Sequence, residues 1–174
     1  VTLANKLTML RIALIPPVMG CLAVPSRGLN LLAAAFFGLA AFTDYLDGHL
    51  SRTRNEISRL GKLLDPMADK LLIAAVYIML VQLGRARAWI VAVIVGRELA
   101  VTGLRAMAAA EGFVVAADTL GKWKMVAQIV AALALILDLR PLGDYALWVA
   151  LALTLVSGVD YARRYRFLFE DPRT

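Results

Sequence analysis

DYLDGHLSRTRNEISRLGKLLDPMAD, residues 44 to 69, holds five of the chain's thirteen acidic residues, four of them aspartates in two pairs. Asp44 and Asp47 are three apart, and Asp65 and Asp69 four apart. At about 100° per residue these spacings return a side chain to nearly the same helix face, so each pair presents two carboxylates in one direction. Outward on both sides the chain turns apolar: residues 31–43 are rich in Leu, Ala and Phe, and residues 71–83 in Leu, Ile, Ala and Val. The stretch is thus a polar join between two segments that read as membrane-spanning helices. The whole chain fits that class. Its 174 residues are 61% hydrophobic, with a mean hydropathy of +0.73, and its charges cluster between long apolar runs, which excludes an ordinary soluble domain.

Taken in order, the pattern predicts an all-α, polytopic membrane protein, a bundle of six transmembrane helices in one domain over residues 1–174. A short interfacial helix at residues 1–8 leads into a first span at 7–22, which Pro16 and Pro17 should kink. The other spans are expected at 31–52, 60–83, 89–110, 122–139 and 142–165, at about 20 residues each. The start of the chain shows no small-residue cleavage site after a short apolar core, so it is not read as a removable signal. Cys21, the single cysteine, falls in an apolar run and is expected to be a small packing residue. Trp89, Trp123 and Trp148 are expected as interfacial anchors.

Lys and Arg set the orientation. With the N-terminus inside, the inner side collects Lys6, Arg11, Arg52, Arg54, Arg59, Lys62, Lys122, Lys124, Arg163, Arg164, Arg166 and Arg173, and the outer side Arg27, Arg85, Arg87 and Arg140. Twelve against four puts both termini in the cytoplasm. It also brings Asp44, Asp47, Asp65, Asp69, Arg105, Lys122 and Lys124 to one membrane face. The net charge of +6 is accounted for by these loops and by anionic lipid head groups, not by nucleic acid.

Four clustered carboxylates without a Cys or His pair are hard oxygen ligands, suited to Mg²⁺ or Mn²⁺ and poorly suited to zinc. A two-ion site of that kind clamps a diphosphate during phosphoryl transfer. Gly48 and Gly61 fit close approach of a ligand or another backbone, and Arg52, one turn beyond Gly48, is placed to meet a phosphate in bidentate fashion. Simple surface salt bridges to Arg52, Arg54, Arg59 and Lys62 are the bland alternative, but they require neither matched carboxylate faces nor two glycines.

Asp44-x-x-Asp47-Gly48-x-x-Ser51-Arg52, then eight residues to Gly61, three to Asp65 and three to Asp69, resembles the signature of the CDP-alcohol phosphotransferase family. Only Ser51 departs from it, where the family usually carries alanine. The resemblance implies a six-helix membrane enzyme that moves a phosphatidyl or similar group from a CDP-linked donor to an alcohol and releases CMP. It further implies that Asp44, Asp47, Asp65 and Asp69 hold two metal ions. Asp69 would also be the general base, and Gly48, Arg52 and Gly61 would line the CDP site. Asn5 and Thr8 are further nucleotide candidates on the resemblance alone, as is a homodimer.

The acceptor is read downstream. Arg97, Glu98 and Arg105 lie within the fourth span, where each ionisable group costs about 2.5–3.5 kcal/mol on insertion scales and is functional by default. Glu98 and Arg105, seven apart, share a face and could neutralise one another. Alternatively Arg97, Arg105, Lys122 and Lys124 form a basic pocket for an acceptor phosphate. The strings NKLTMLR (5–11), LGKLLDPMADKL (60–71), GRELAVTGLR (96–105) and GKWKMVAQ (121–128) resemble the bacterial phosphatidylglycerophosphate synthase branch of the family. That implies CDP-diacylglycerol as donor and sn-glycerol 3-phosphate as acceptor, at the cytoplasmic face of the cell membrane. Inositol phosphate or serine as acceptor is the nearest alternative, and a cation transporter is the alternative of another class. The lack of a matched acidic site on the outer half argues against transport. His49 is expected to pack or lie at the interface, Lys70 to point about 100° away from Asp69, and Asp160 is left without a role.

Overall fold

The structure is a computed structural model. It describes residues 3–54, 59–110, 112 and 119–164, with side chains described for 6–43, 67–110, 112 and 119–164. Six helices follow one another: α1 (Leu3–Ala23), α2 (Arg27–Arg54), α3 (Arg59–Gln82), α4 (Ala88–Ala110), α5 (Thr119–Ile136) and α6 (Leu142–Arg164), with no strand among the described residues. By length and composition α1, α5 and α6 are apolar enough to cross a membrane. The apolar part of α2, Arg27–Thr43, is shorter. Charges interrupt the others: the aspartate stretch occupies the end of α2 and the start of α3, and Arg97, Glu98 and Arg105 interrupt α4.

α2 starts four residues and α5 three residues earlier than the sequence expectation, and two further boundaries differ for identifiable reasons. The separate interfacial helix is absorbed into α1, which runs unbroken from Leu3 and continues through Pro16 and Pro17. Nothing between Leu3 and Thr8 breaks a helix, so polar Asn5 and Lys6 form its first turns. α5 stops at Ile136, three residues early, because Asp138 takes a left-handed conformation with φ 56°. Its N–H donates to the Leu135 carbonyl at 3.2 Å, and that of Leu139 to Ala134 at 2.9 Å. This is the Schellman closure usually built on glycine. α3 ends the same way on Gly84, φ 66°, with Arg85 N–H donating to the Leu80 carbonyl at 2.8 Å.

These two turns meet at one end of the bundle. Arg85 donates to the Ile136 carbonyl at 2.8 Å, satisfying an acceptor that a helix C-terminus leaves open. Asn30, with its amide oxygen turned toward it, accepts from Arg85 at 3.0 Å. Arg140 donates to the Gly84 carbonyl at 3.2 Å and to Asp144 at 3.2 Å. Here too Trp89 and Trp148 stack edge to face at 5.6 Å, half exposed, as anchors do.

The core runs through Val18, Leu22, Phe37, Val76, Tyr77, Leu80, Ile94, Leu135 and Ala150. α5 packs most extensively on α6, and α1 on α2 and α3. Small residues let α5 and α6 approach. A Cβ on Gly143 would stand 2.7 Å from Leu135 Cδ2 and 3.3 Å from its backbone nitrogen. Gly143→Val is therefore expected to destabilise the fold by about 1–3 kcal/mol through overpacking, read as a lower melting temperature in detergent. An unchanged melting temperature would refute this contact.

The surface is apolar as well as the core, and a few charged and polar groups are enclosed within it. Leu31, Ile78, Leu99 and Val156 are exposed, whereas Arg11, Glu98, Lys124 and Gln128 are buried. Lipid around the bundle accounts for the first, and a polar cluster within a mainly apolar core for the second.

Candidate active site

Apart from Asn30 at the Arg85 turn, the buried polar groups are Thr8 and Arg11 of α1, Thr43 of α2, Glu98 of α4, Lys124 and Gln128 of α5, and Thr154 and Ser157 of α6. Their centre is Glu98. Its Oε1 accepts from the Lys124 ammonium, from Arg97 Nη1 at 3.2 Å and from Gln128 Nε2 at 3.4 Å. Gln128 also donates to Thr154 Oγ1 at 3.1 Å, and the Thr154 hydroxyl donates to the Ala150 carbonyl at 2.6 Å. Tyr77 donates to the Gln128 carbonyl at 2.9 Å. One carboxylate thereby joins α4 to α5, and through Gln128 to α6 and α3. Each of these side chains has at least one partner, as a buried polar network requires, although the buried Arg97 Nε makes no hydrogen bond among the described residues.

Arg97 continues outward from Glu98, donating Nη2 to Ser157 Oγ at 2.6 Å. Its aliphatic stem passes over Gly158, where a Cβ would stand 3.3 Å from Arg97 Cγ. Its guanidinium lies over the Tyr161 ring at 5.5 Å. Arg105 lies over the same ring at 4.6 Å and donates to the Tyr161 hydroxyl. Glu98 and Arg105 do not neutralise each other, contrary to what their shared face allowed. Lys124, on the neighbouring helix, takes that place.

Asp69 is the described member of the aspartate stretch. Lys70 Nζ stands 3.8 Å from its Oδ2, so the expectation that Lys70 points away is corrected: the four-carbon side chain sweeps back across the 100° between adjacent residues. The other charges near enough to act on Asp69 are Arg11, Glu98 and Lys124. The acid of α3 and the basic group of α4 and α5 are therefore electrostatic neighbours. Arg11, counted from sequence as an inner surface charge, is fully buried, as is Thr8 one turn before it.

Asp44, Asp47, Gly48, His49, Arg52, Gly61 and Asp65, together with Asn5, have helical backbone, but their side chains lie outside the described residues. No group of three carboxylate, imidazole or thiol ligands is assembled among the described residues, since only one of the four aspartates is among them. Of the four basic candidates, Arg97, Arg105 and Lys124 are brought together and Lys122 is not. Lys122 is exposed, about 200° around α5 from Lys124. Asp160 pairs with Arg164 at 2.8 Å, one turn along α6.

The sequence model of the CDP-alcohol phosphatidyltransferase family matches residues 1–156. The chain belongs to this family. As a CDP-alcohol phosphatidyltransferase it is a multi-pass membrane enzyme. It is 46% identical to the CDP-diacylglycerol–glycerol-3-phosphate 3-phosphatidyltransferase of Bacillus subtilis, over 91% of this chain and 92% of that protein. It is 35% identical to the enzyme of that name from Rickettsia bellii, over 96% and 97%. A probable phosphatidylglycerophosphate synthase of Mycobacterium tuberculosis is 37% identical over 93% of this chain and 80% of its own. Sequence reasoning missed Gln128, Thr154, Ser157 and Tyr161 in this transferase. The signal available was polarity at helical spacing: Gln128 four residues after Lys124 on α5, and Thr154, Ser157 and Tyr161 at three- and four-residue spacing along α6.

Proposed function

We propose that this chain transfers the phosphatidyl group of CDP-diacylglycerol to sn-glycerol 3-phosphate, giving phosphatidylglycerophosphate and CMP, at the cytoplasmic face of the cell membrane. The observation that carries the acceptor is the charge around Glu98. Arg97, Arg105 and Lys124 set three cations against one carboxylate, a surplus of two positive charges. A phosphate monoester carries about −1.5 to −2 at neutral pH and matches that surplus. Serine would leave it unbalanced.

In this reading the chain crosses the membrane six times, with both termini cytoplasmic, and works as a homodimer. Two Mg²⁺ or Mn²⁺ ions are held by Asp44, Asp47, Asp65 and Asp69. The donor set fits them: it is all carboxylate, on helical backbone at three- and four-residue spacing, and the side chain of Asp69 is partly accessible. The ions would neutralise the donor diphosphate and the departing CMP. Gly48, Arg52 and Gly61, with Asn5 and Thr8, contact the nucleotide. Arg97, Arg105 and Lys124 bind the acceptor phosphate and so aim its primary hydroxyl at the lipid-side phosphorus. Asp69 takes the hydroxyl proton as the oxygen–phosphorus bond forms and the bond to CMP breaks, because a carboxylate shared with cations is too weak a base to take it earlier.

Purified protein in detergent, given CDP-diacylglycerol, labelled glycerol 3-phosphate and Mg²⁺, should release CMP and label lipid. Chelation should remove both activities, and added Mg²⁺ or Mn²⁺ should restore them. Absence of CMP release under all these conditions refutes the reading. Release with inositol phosphate alone moves the acceptor within the family, and activity that survives chelation refutes the metal pair.

A further inference from the structure

Tyr161 lies beyond the residues that the family model matches, is 2% exposed, and takes no part in the chemistry described above. Its surroundings are unusual. Two guanidiniums, those of Arg105 and Arg97, lie over one ring at 4.6 and 5.5 Å, near enough to repel each other. Arg97 has other holds, on Glu98 and Ser157. Arg105 has no carboxylate partner among the described residues, and the bond it makes there is to the Tyr161 hydroxyl. A ring face attracts a cation without neutralising it. Tyrosine therefore does what an aspartate in its place could not: it fixes both cations and leaves their charge for a ligand.

We propose that Tyr161 is a positioning residue of the acceptor site, holding Arg97 and Arg105 at one ring as paired donors for one phosphate dianion. Without the ring the two like charges separate, and the phosphate loses the second of two converging donors. Gly158, one turn before Tyr161, belongs to the same device, since its missing side chain lets Arg97 cross α6 to reach the ring. The inference rests on the acceptor reading given under the proposed function.

The test is steady-state kinetics of the detergent-solubilised enzyme and of Tyr161→Phe and Tyr161→Leu, with melting temperatures recorded for all three. Tyr161→Phe keeps the ring and loses the hydroxyl, so the KM for glycerol 3-phosphate should rise by about threefold. Tyr161→Leu loses both, and that KM should rise by about tenfold or more, matching the upper range of cation–π attraction. In both, the KM for CDP-diacylglycerol should stay within a factor of two and kcat should fall by less than about threefold. Inorganic phosphate, as a competitor of the acceptor, should weaken in parallel. An unchanged acceptor KM in Tyr161→Leu overturns the inference, as does an equal rise in both KM values or a fall confined to kcat. If the unaltered protein itself does not use glycerol 3-phosphate, the acceptor reading fails and this inference fails with it. An active parent with indifferent variants removes the inference alone.

Discussion

Asp69→Asn is expected to abolish turnover, by about 10²–10⁴-fold for loss of the proton acceptor, before any loss of metal affinity is counted. The exchange keeps size and shape and removes only charge and basicity. Asp69 touches Lys70 at 3.8 Å and feels Arg11, Glu98 and Lys124, so the local balance moves toward positive. CDP-diacylglycerol, an anion, should accordingly still bind. The measurement is CMP release at saturating substrates beside donor binding. Turnover within tenfold of the unaltered enzyme would remove Asp69 as the base.

Glu98→Leu is expected to have the largest effect on stability. The carboxylate is almost fully enclosed and receives Lys124, Arg97 and Gln128 on one oxygen. Leucine fills the volume and strands an ammonium and a guanidinium in the bundle. Breaking a buried pair from one side costs about 3–5 kcal/mol, roughly 6–20 °C in melting temperature for a chain of this size. The double change Glu98→Leu with Lys124→Leu should recover part of that loss, because the stranded ammonium goes too, while acceptor use stays impaired. A single variant as stable as the parent would show that Glu98 does not hold the helices together.

The helices were readable because charge and apolarity segregate along the chain. Segments of about twenty apolar residues between charged joins have few other fates, and the aspartate stretch announced itself through spacing within single helices. What sequence could not supply was the rotation of one helix against another. Glu98 and Arg105 are a natural pair at heptad spacing on α4, yet Lys124 wins from α5, 26 residues away, because helix packing turns it inward. Lys122 and Lys124 were grouped in one pocket from sequence although neighbours two apart on a helix look in opposite directions, and only Lys124 is turned inward. Tyr161 was hidden for a different reason. An aromatic residue in an apolar helix reads as packing until the two arginines of α4 are seen above its ring.

The bonds of Arg85 and Arg140 join the polar turns between α3 and α4 and between α5 and α6 to Asn30 of α2, at the end remote from Asp69. Each guanidinium satisfies a carbonyl at the close of the other's helix, so the ends of α3 and α5 cannot part without leaving both acceptors open.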